Sequence, residues 1–262
     1  MNNSTIIYGL INYATLTASA GSDSGHPLTN LQDGRYYTQW QSGDNSQNQT
    51  LIVLFGSARD VNYLFFANHN LASLGLDGIT IESSNDGVTW NSWASASGPY
   101  VDPFYFPISL RNLLGVRLTF AKDTALSAAV QIGMIFIGYQ VTLPLYLNLP
   151  KRGLKIDLVR DEALSGLRYV ASTAPERQTW ELNYGSFKQP QIAQIFNWLR
   201  TVGVGLHPFW FQDMDENWHF LRCDNDAFGS AGKGNLFFDL KSLQMSEERV
   251  GIGMTIPGGY LV

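Results

Sequence analysis

One cysteine, Cys223, stands among 262 residues. A disulfide framework and a cysteine-rich zinc site are therefore excluded. Charge is scarce as well: Asp, Glu, Lys and Arg together make 15% of the chain, and the net charge is −5. Such a balance argues against sequence-specific nucleic-acid binding, which leaves a strongly basic footprint. The four histidines, His26, His69, His207 and His219, show no HExxH or His-x-His spacing, so they read as structural rather than as a converging metal set. No Gly-x-Ser-x-Gly elbow, phosphate loop or dinucleotide fingerprint occurs. Residues 229–234, Gly-Ser-Ala-Gly-Lys-Gly, lack phosphate-loop spacing and precede a strand pattern, so they read as a flexible turn. The longest apolar runs, such as 132–139, fall far short of the roughly 20 residues that span a bilayer. The first residues lack the basic start and sustained apolar run of a cleaved secretory signal. No cofactor, no metal and no membrane insertion are expected.

What the chain does have is apolar and aromatic residues (45% and 13%) and 25 glycines. That composition supports a real core made from strands and turns. Short apolar or alternating runs recur at 51–55, 63–67, 78–84, 116–120 and 130–139. Asn85-Asp86-Gly87 between two such runs is a hairpin signal. No helix is expected before residue 140, and the first half reads as a sandwich or jelly roll. A boundary is placed near Thr142-Leu143-Pro144, giving domains 1–145 and 146–262. Beyond it, 153–159, 179–184, 208–211, 218–222 and 236–240 read as strands. Residues 190–201 read as a helix, with Ile192, Ile195, Phe196 and Leu199 on one face, Pro190 in its first turn and Gly203 as its stop. Asp213, Asp215 and Glu216 follow a strand. Carboxylates so spaced suit a hard cation, but a solvated hairpin turn is the preferred reading.

Three segments of the first half belong together: Leu28-Thr29-Asn30-Leu31-Gln32-Asp33-Gly34-Arg35 with Trp40, then Asn68-His69-Asn70-Leu71, then Ser83 to Trp90. In physical terms Asp33-Gly34 is a turn, Trp40 fills a core and Asn85-Asp86-Gly87 closes a hairpin. Over about residues 15–140 they resemble the discoidin-like, or coagulation factor 5/8 type C, family of β jelly rolls. The resemblance implies glycan, lipid or protein recognition through loops at one end, and some members bind calcium. Tyr100, Phe104, Tyr105 and Phe106 read as an aromatic loop and are the candidate glycan or protein contact. The equal alternative is that they pack on their own sandwich.

The second half, over roughly 146–250, is similar in pattern to phage distal tail and tail-hub proteins. The residues behind this are Arg177 to Leu182, the helix from Gln189 to Arg200, and Gly203 to Phe211. The resemblance implies a split β-barrel with one flanking helix. Many distal tail proteins place the ring domain first and the jelly roll second; here the order is reversed. The fold expected is thus mainly β, a jelly-roll sandwich followed by that barrel. The function implied is a structural virion protein without enzymatic activity, made in the host cytoplasm and placed at the tail tip. Its partners would be further copies in a ring, taken as sixfold, the tail tube and hub, and host glycan. Candidate ring-interface residues are Arg160, Asp161, Arg168, Tyr169, Asp224 and Lys233, in two loops. The alternative, from another class, is a free-standing carbohydrate-binding protein that recognises bacterial surface sugars. A glycoside hydrolase accessory domain is weaker still, since no facing pair of carboxylates can be placed.

Overall fold

The computed structural model describes residues 4–9, 11–143, 151–155, 158–162, 168–172, 177–202, 207–213, 215–223, 230–233 and 237–247. Within these, the chain forms two units. One comprises residues 7–140; the other takes residues 4–6 together with 141–247. Among the described residues no helix is long and apolar enough to cross a membrane.

The chain opens with strand β1 (Ser4–Ile7) and then builds the unit of residues 7–140. Its strands are β2 (Thr15–Ala18), β3 (Trp40–Gln41), β4 (Gln49–His69), β5 (Gly78–Ser84), β6 (Asn91–Ala96), β7 (Phe104–Ala121) and β8 (Gln131–Gly138). They order as β3-β8-β4-β7-β5-β6, with β2 also on β4. The two long strands, β4 and β7, serve both layers of a sandwich. Residues 49–54 of β4 pair with 115–120 of β7, and 61–66 pair with 104–111, with register shifts between. β5 joins only the later part of β7, and β8 only the later part of β4. The layers meet through one core: Leu51, Val53, Val116, Leu118, Phe120, Ile79 and Ile81 from one side, Leu64, Phe66, Ile132, Ile135 and Ile137 from the other. This is the expected jelly roll. The sequence pattern ends a strand at Gly56; the structure runs β4 on through the bend. The expected hairpin is present, with β5 and β6 antiparallel across residues 85–90. Asp86 shapes that turn by accepting the N–H groups of Val88 and Thr89 and the hydroxyl of Ser84. Those bonds hold its carboxyl well below the usual carboxylate range.

The other unit carries β9 (Val141–Leu143), β10 (Lys151–Lys155), β11 (Leu158–Glu162), β12 (Arg168–Ser172), β13 (Arg177–Lys188), helix α1 (Gln189–Val202), β14 (Phe209–Gln212), β15 (Trp218–Cys223), β16 (Ser230–Lys233) and β17 (Phe237–Glu247). Its main sheet runs β10-β13-β17-β15-β14-β1-β9, with β16 on β17. The path is open: among the described residues the sheet does not close into a barrel. β1 pairs with β9, so the sheet of this unit draws on the very start of the chain. The jelly roll is therefore inserted between two neighbouring strands of the sheet. Pro144 and Gly203 lie outside the described residues.

Helix α1 forms as expected, but its buried face differs. Ile195 and Leu199 are buried and Trp198 completes the stripe, its ring 5.0 Å from Phe209 and edge-on to it. Phe196 is only half-buried. Three and four residues separate positions on one helical face, and Ile195, Trp198 and Leu199 satisfy that better than a stripe through Phe196. The Ile192 side chain lies outside the described residues. The acidic cluster is a turn, as expected, but only Asp215 and Glu216 are solvated; Asp213 is buried, accepts the N–H groups of Asp215 and Asn217 and lies 3.0 Å from His219 Nε2. Burial would push its carboxyl up, but these bonds together hold it below the ordinary value. The stretch read as a flexible glycine turn contributes β16, a strand hydrogen-bonded to β17.

Candidate functional site

The first two signature segments meet at one end of the jelly roll, around a carboxylate that neither contains. A 3-10 turn at Leu28–Gln32 leads into Asp33. Asp33 Oδ1 accepts the N–H of Arg35 at 2.8 Å, and Oδ2 accepts the Thr38 hydroxyl at 2.8 Å. Gly34 has φ +69°, a conformation that a side chain disfavours. Trp40 is fully buried, and its indole N–H donates to Ser22 Oγ. The turn is thereby fixed between a core anchor and an Asx cap, with Tyr37 exposed on it, Gln39 half-buried and Tyr36 buried.

Asn68, at the end of β4, joins this loop to the next. It adopts φ 54°, so its side chain turns back. Its Nδ2 donates to Tyr36 O at 2.6 Å, and its Oδ1 accepts Gln39 Nε2 at 2.9 Å. Its backbone N–H donates to Asp102 Oδ1 at 2.8 Å. Tyr36 donates its hydroxyl to Asp102 Oδ2 at 3.4 Å. His69 Nε2 points at Asp102 Oδ1 from 3.7 Å, beyond hydrogen-bond reach. The His69 side chain is 1% exposed and that of Asp102 29%. Burial depresses the His69 pKa to about 4, so the ring is neutral at pH 7. Its Nδ1 accepts the Leu71 N–H, which places the proton on Nε2. Burial raises the Asp102 carboxyl, against the pull of the Asn68 N–H and the Tyr36 hydroxyl. The same burial, with the Asp102 charge beside it, raises Tyr36.

The result is a partly open carboxylate flanked by an amide, a phenol and an imidazole, with Tyr37 57% exposed on the same loop. Such a set can take hydroxyl groups by hydrogen bonding and a sugar face by stacking. Among the described residues no group of three or more metal-ligating side chains converges.

The aromatic quartet lies beside this site but not as a loop. Phe104, Tyr105 and Phe106 are strand residues of β7. Tyr100 is buried, donates its hydroxyl to Ala96 O at 3.0 Å and meets Phe104 edge-on at 5.3 Å. Phe104 stacks on Phe66 and on Phe106, while Tyr105 turns the other way to donate to Gln140 Oε1. Alternation along a strand forces this split. Asp102 was the residue missed. It is the charged residue inside the aromatic run from Tyr100 to Phe106, and that isolation was the available signal.

In the other unit, Arg160 and Asp161 lie on β11 and Arg168 and Tyr169 on β12, strands rather than loop, with Asp161 opposite Tyr169. Lys233 ends β16, opposite Phe237 on the main sheet. Asp224 lies outside the described residues. The structure thus brings four of the six together on one hairpin.

Residues 15–129 match the family model described as the F5/8 type C domain. Among solved structures, chitosan-binding module 1 from a chitosanase/glucanase of Paenibacillus sp. IK-5 is similar at 21% identity, with a TM-score of 0.44, covering 50% of this chain and 99% of that one. A CBM32 module from Clostridium perfringens, in complex with GalNAc-β-1,3-galactose, is similar at 12% identity, TM-score 0.43, covering 50% of this chain and 100% of that one. No curated protein matches the sequence.

Proposed function

We propose that the jelly roll of residues 7–140 is a non-catalytic glycan-binding module that reads sugars at the loop end around Asp102, Tyr36, Tyr37 and Gln39. One observation carries this reading: inside a domain that matches the F5/8 type C family, the two signature segments converge on a carboxylate left partly open to solvent. Buried polar groups normally find their partners within the fold. A carboxylate held this far from water, yet still 29% exposed, is suited to a ligand hydroxyl. The target class is bacterial surface sugar. A glycan array probed with the full chain, followed by calorimetry on the hits, tests the reading. Asp102→Asn and Tyr37→Ala should each weaken binding about tenfold, the worth of one charge-assisted hydrogen bond or one stacked ring. An array without hits, or variants that bind like the parent, would sink it.

A second reading, a ring-forming tail-tip protein with copies of itself, the tail tube and the hub as partners, has one supporting observation. The main sheet of the other unit ends in β10 and β9, and among the described residues neither has a further neighbour. Open edges invite pairing between copies. Mass measurement of the purified chain and an image of the particle test it; a monomer that is absent from virions refutes it.

A further inference from the structure

We propose a second binding site on the open side of the jelly roll, built around Arg111 and specific for a carboxylate-bearing sugar, a uronic acid residue in a chain. It rests on the glycan reading of this domain but lies apart from the Asp102 end. β6 is the last strand of one layer, and the first part of β7, up to Arg111, is the last strand of the other. Between these two edges the sandwich has a mouth, and two side chains cross it.

Trp93 reaches across from β6. The register of β5 on β6 jumps from Ile81↔Ala94 to Glu82↔Ser92, so Trp93 is the extra residue of a bulge. A bulge re-aims the side chain it carries. The indole packs against the core and donates from Nε1 to Ser109 Oγ on β7 at 3.0 Å. Arg111 reaches back from β7. Its Cα stands opposite the buried Val61, so its stem starts on the inner side. Its guanidinium donates from one nitrogen to Ser83 Oγ at 2.8 Å and lies 5.5 Å from the centre of the Trp93 ring.

Charge gives the site its ligand. Arg117, the other arginine of β7, is paired with Glu82. Arg111 meets no carboxylate among the described residues, though it is half-buried. A guanidinium has five N–H donors in a planar fork that matches a carboxylate. One bond to Ser83 and a shelf on Trp93 orient that fork without using it up. Phe104 and Phe106, half-buried and stacked at 6.2 Å with 13° between their planes, continue the apolar strip along β7. A sugar ring with its carboxylate on Arg111 would lie along that strip.

The test uses the full chain and calorimetric titration with tetragalacturonate and with its methyl ester, which keeps the rings and removes the charge. The acid should bind at least about tenfold more tightly than the ester, as a charge-assisted bidentate pair implies. Arg111→Gln should remove that preference, Arg111→Lys should keep part of it, and Trp93→Phe should weaken acid binding several-fold. Equal binding of acid and ester by the parent overturns the proposal, as does an Arg111→Gln variant that retains the preference. Should Arg111→Gln fail to fold, the acid–ester comparison on the parent and on Arg111→Lys decides. Competition by poly-L-glutamate as strong as by the uronate would assign the site to acidic peptide and overturn the sugar. Loss of neutral-glycan binding with uronate binding intact sinks the Asp102 reading alone; the reverse result sinks this one alone.

Discussion

Asp102 makes stability and binding move in opposite directions. Its folded-state pKa lies above the ordinary carboxylate value because it is partly buried. Between those two values the folded protein holds a proton that the unfolded chain has released. Stability therefore falls as pH rises through that window, and the penalty is complete above the folded pKa. Asp102→Asn is neutral at every pH and escapes the penalty. It also keeps an oxygen to accept the Asn68 N–H, which Asp102 accepts at 2.8 Å. Asp102→Ala keeps neither, and leaves that N–H without its acceptor at a residue that is itself buried. One buried donor so stranded costs about 1–3 kcal/mol. Urea unfolding at pH 7.5 should therefore find the Asn variant as stable as the parent or more so, and the Ala variant lower by about 1–3 kcal/mol. At a pH below the ordinary carboxylate value the advantage of Asn over the parent should vanish. Glycan binding should fall in both variants. An Asn variant as unstable as the Ala variant at pH 7.5 would refute the account of Asp102 as a carboxylate kept at the expense of stability.

Two further predictions concern the fold. Trp198→Ala should cost about 3–5 kcal/mol by thermal or urea unfolding, whereas Phe196→Ala should cost less than half as much, because only Trp198 is fully buried; equal costs would mean that the helix phase is wrong. Residues 7–140 expressed alone should give a cooperative thermal transition, since they hold a complete core, while residues 146–262 alone should not, lacking β1 and β9; a folded 146–262 fragment would show that the sheet does without its two terminal strands.

Much of the jelly roll was legible from local chemistry. Asp33-Gly34 and Asn85-Asp86-Gly87 are turns because of what those side chains and a missing one do to the nearby backbone, and Trp40 is simply too large and apolar for the surface. What escaped depends on distance in sequence. The partnership of β1 with β9 has no local signature: Thr5-Ile6-Ile7 reads equally well in either sheet. The Asp102 site needs residues 36, 68, 69 and 102 to meet, and only the register of β4 on β7 brings them together. The bulge at Trp93 hides that residue, because the extra position breaks the alternation by which an inward side chain is recognised. Arg111 was passed over for a similar reason: a charge on a strand is read as solvent-facing, and here the guanidinium folds back across the mouth. In α1, the apolar stripe drawn through Ile192, Ile195, Phe196 and Leu199 takes in Phe196 and omits Trp198, although Trp198 stands three residues from Ile195 and beside Leu199.

Tyr63 ties together the two ends of the inserted jelly roll. Strand β1 leaves the ribosome long before β9, with residues 7–140 between them. In a loose chain, joining the ends of a loop that long costs about 4 kcal/mol of entropy beyond a fixed term. Tyr63 holds both ends of the insert: its backbone is registered opposite Gly138, and its hydroxyl donates to Tyr8 O at 2.7 Å. Once the insert has folded, the stretch before it and the stretch after it leave from either side of one tyrosine. With the ends of the insert held together, a contact remote in sequence becomes one across a short effective loop.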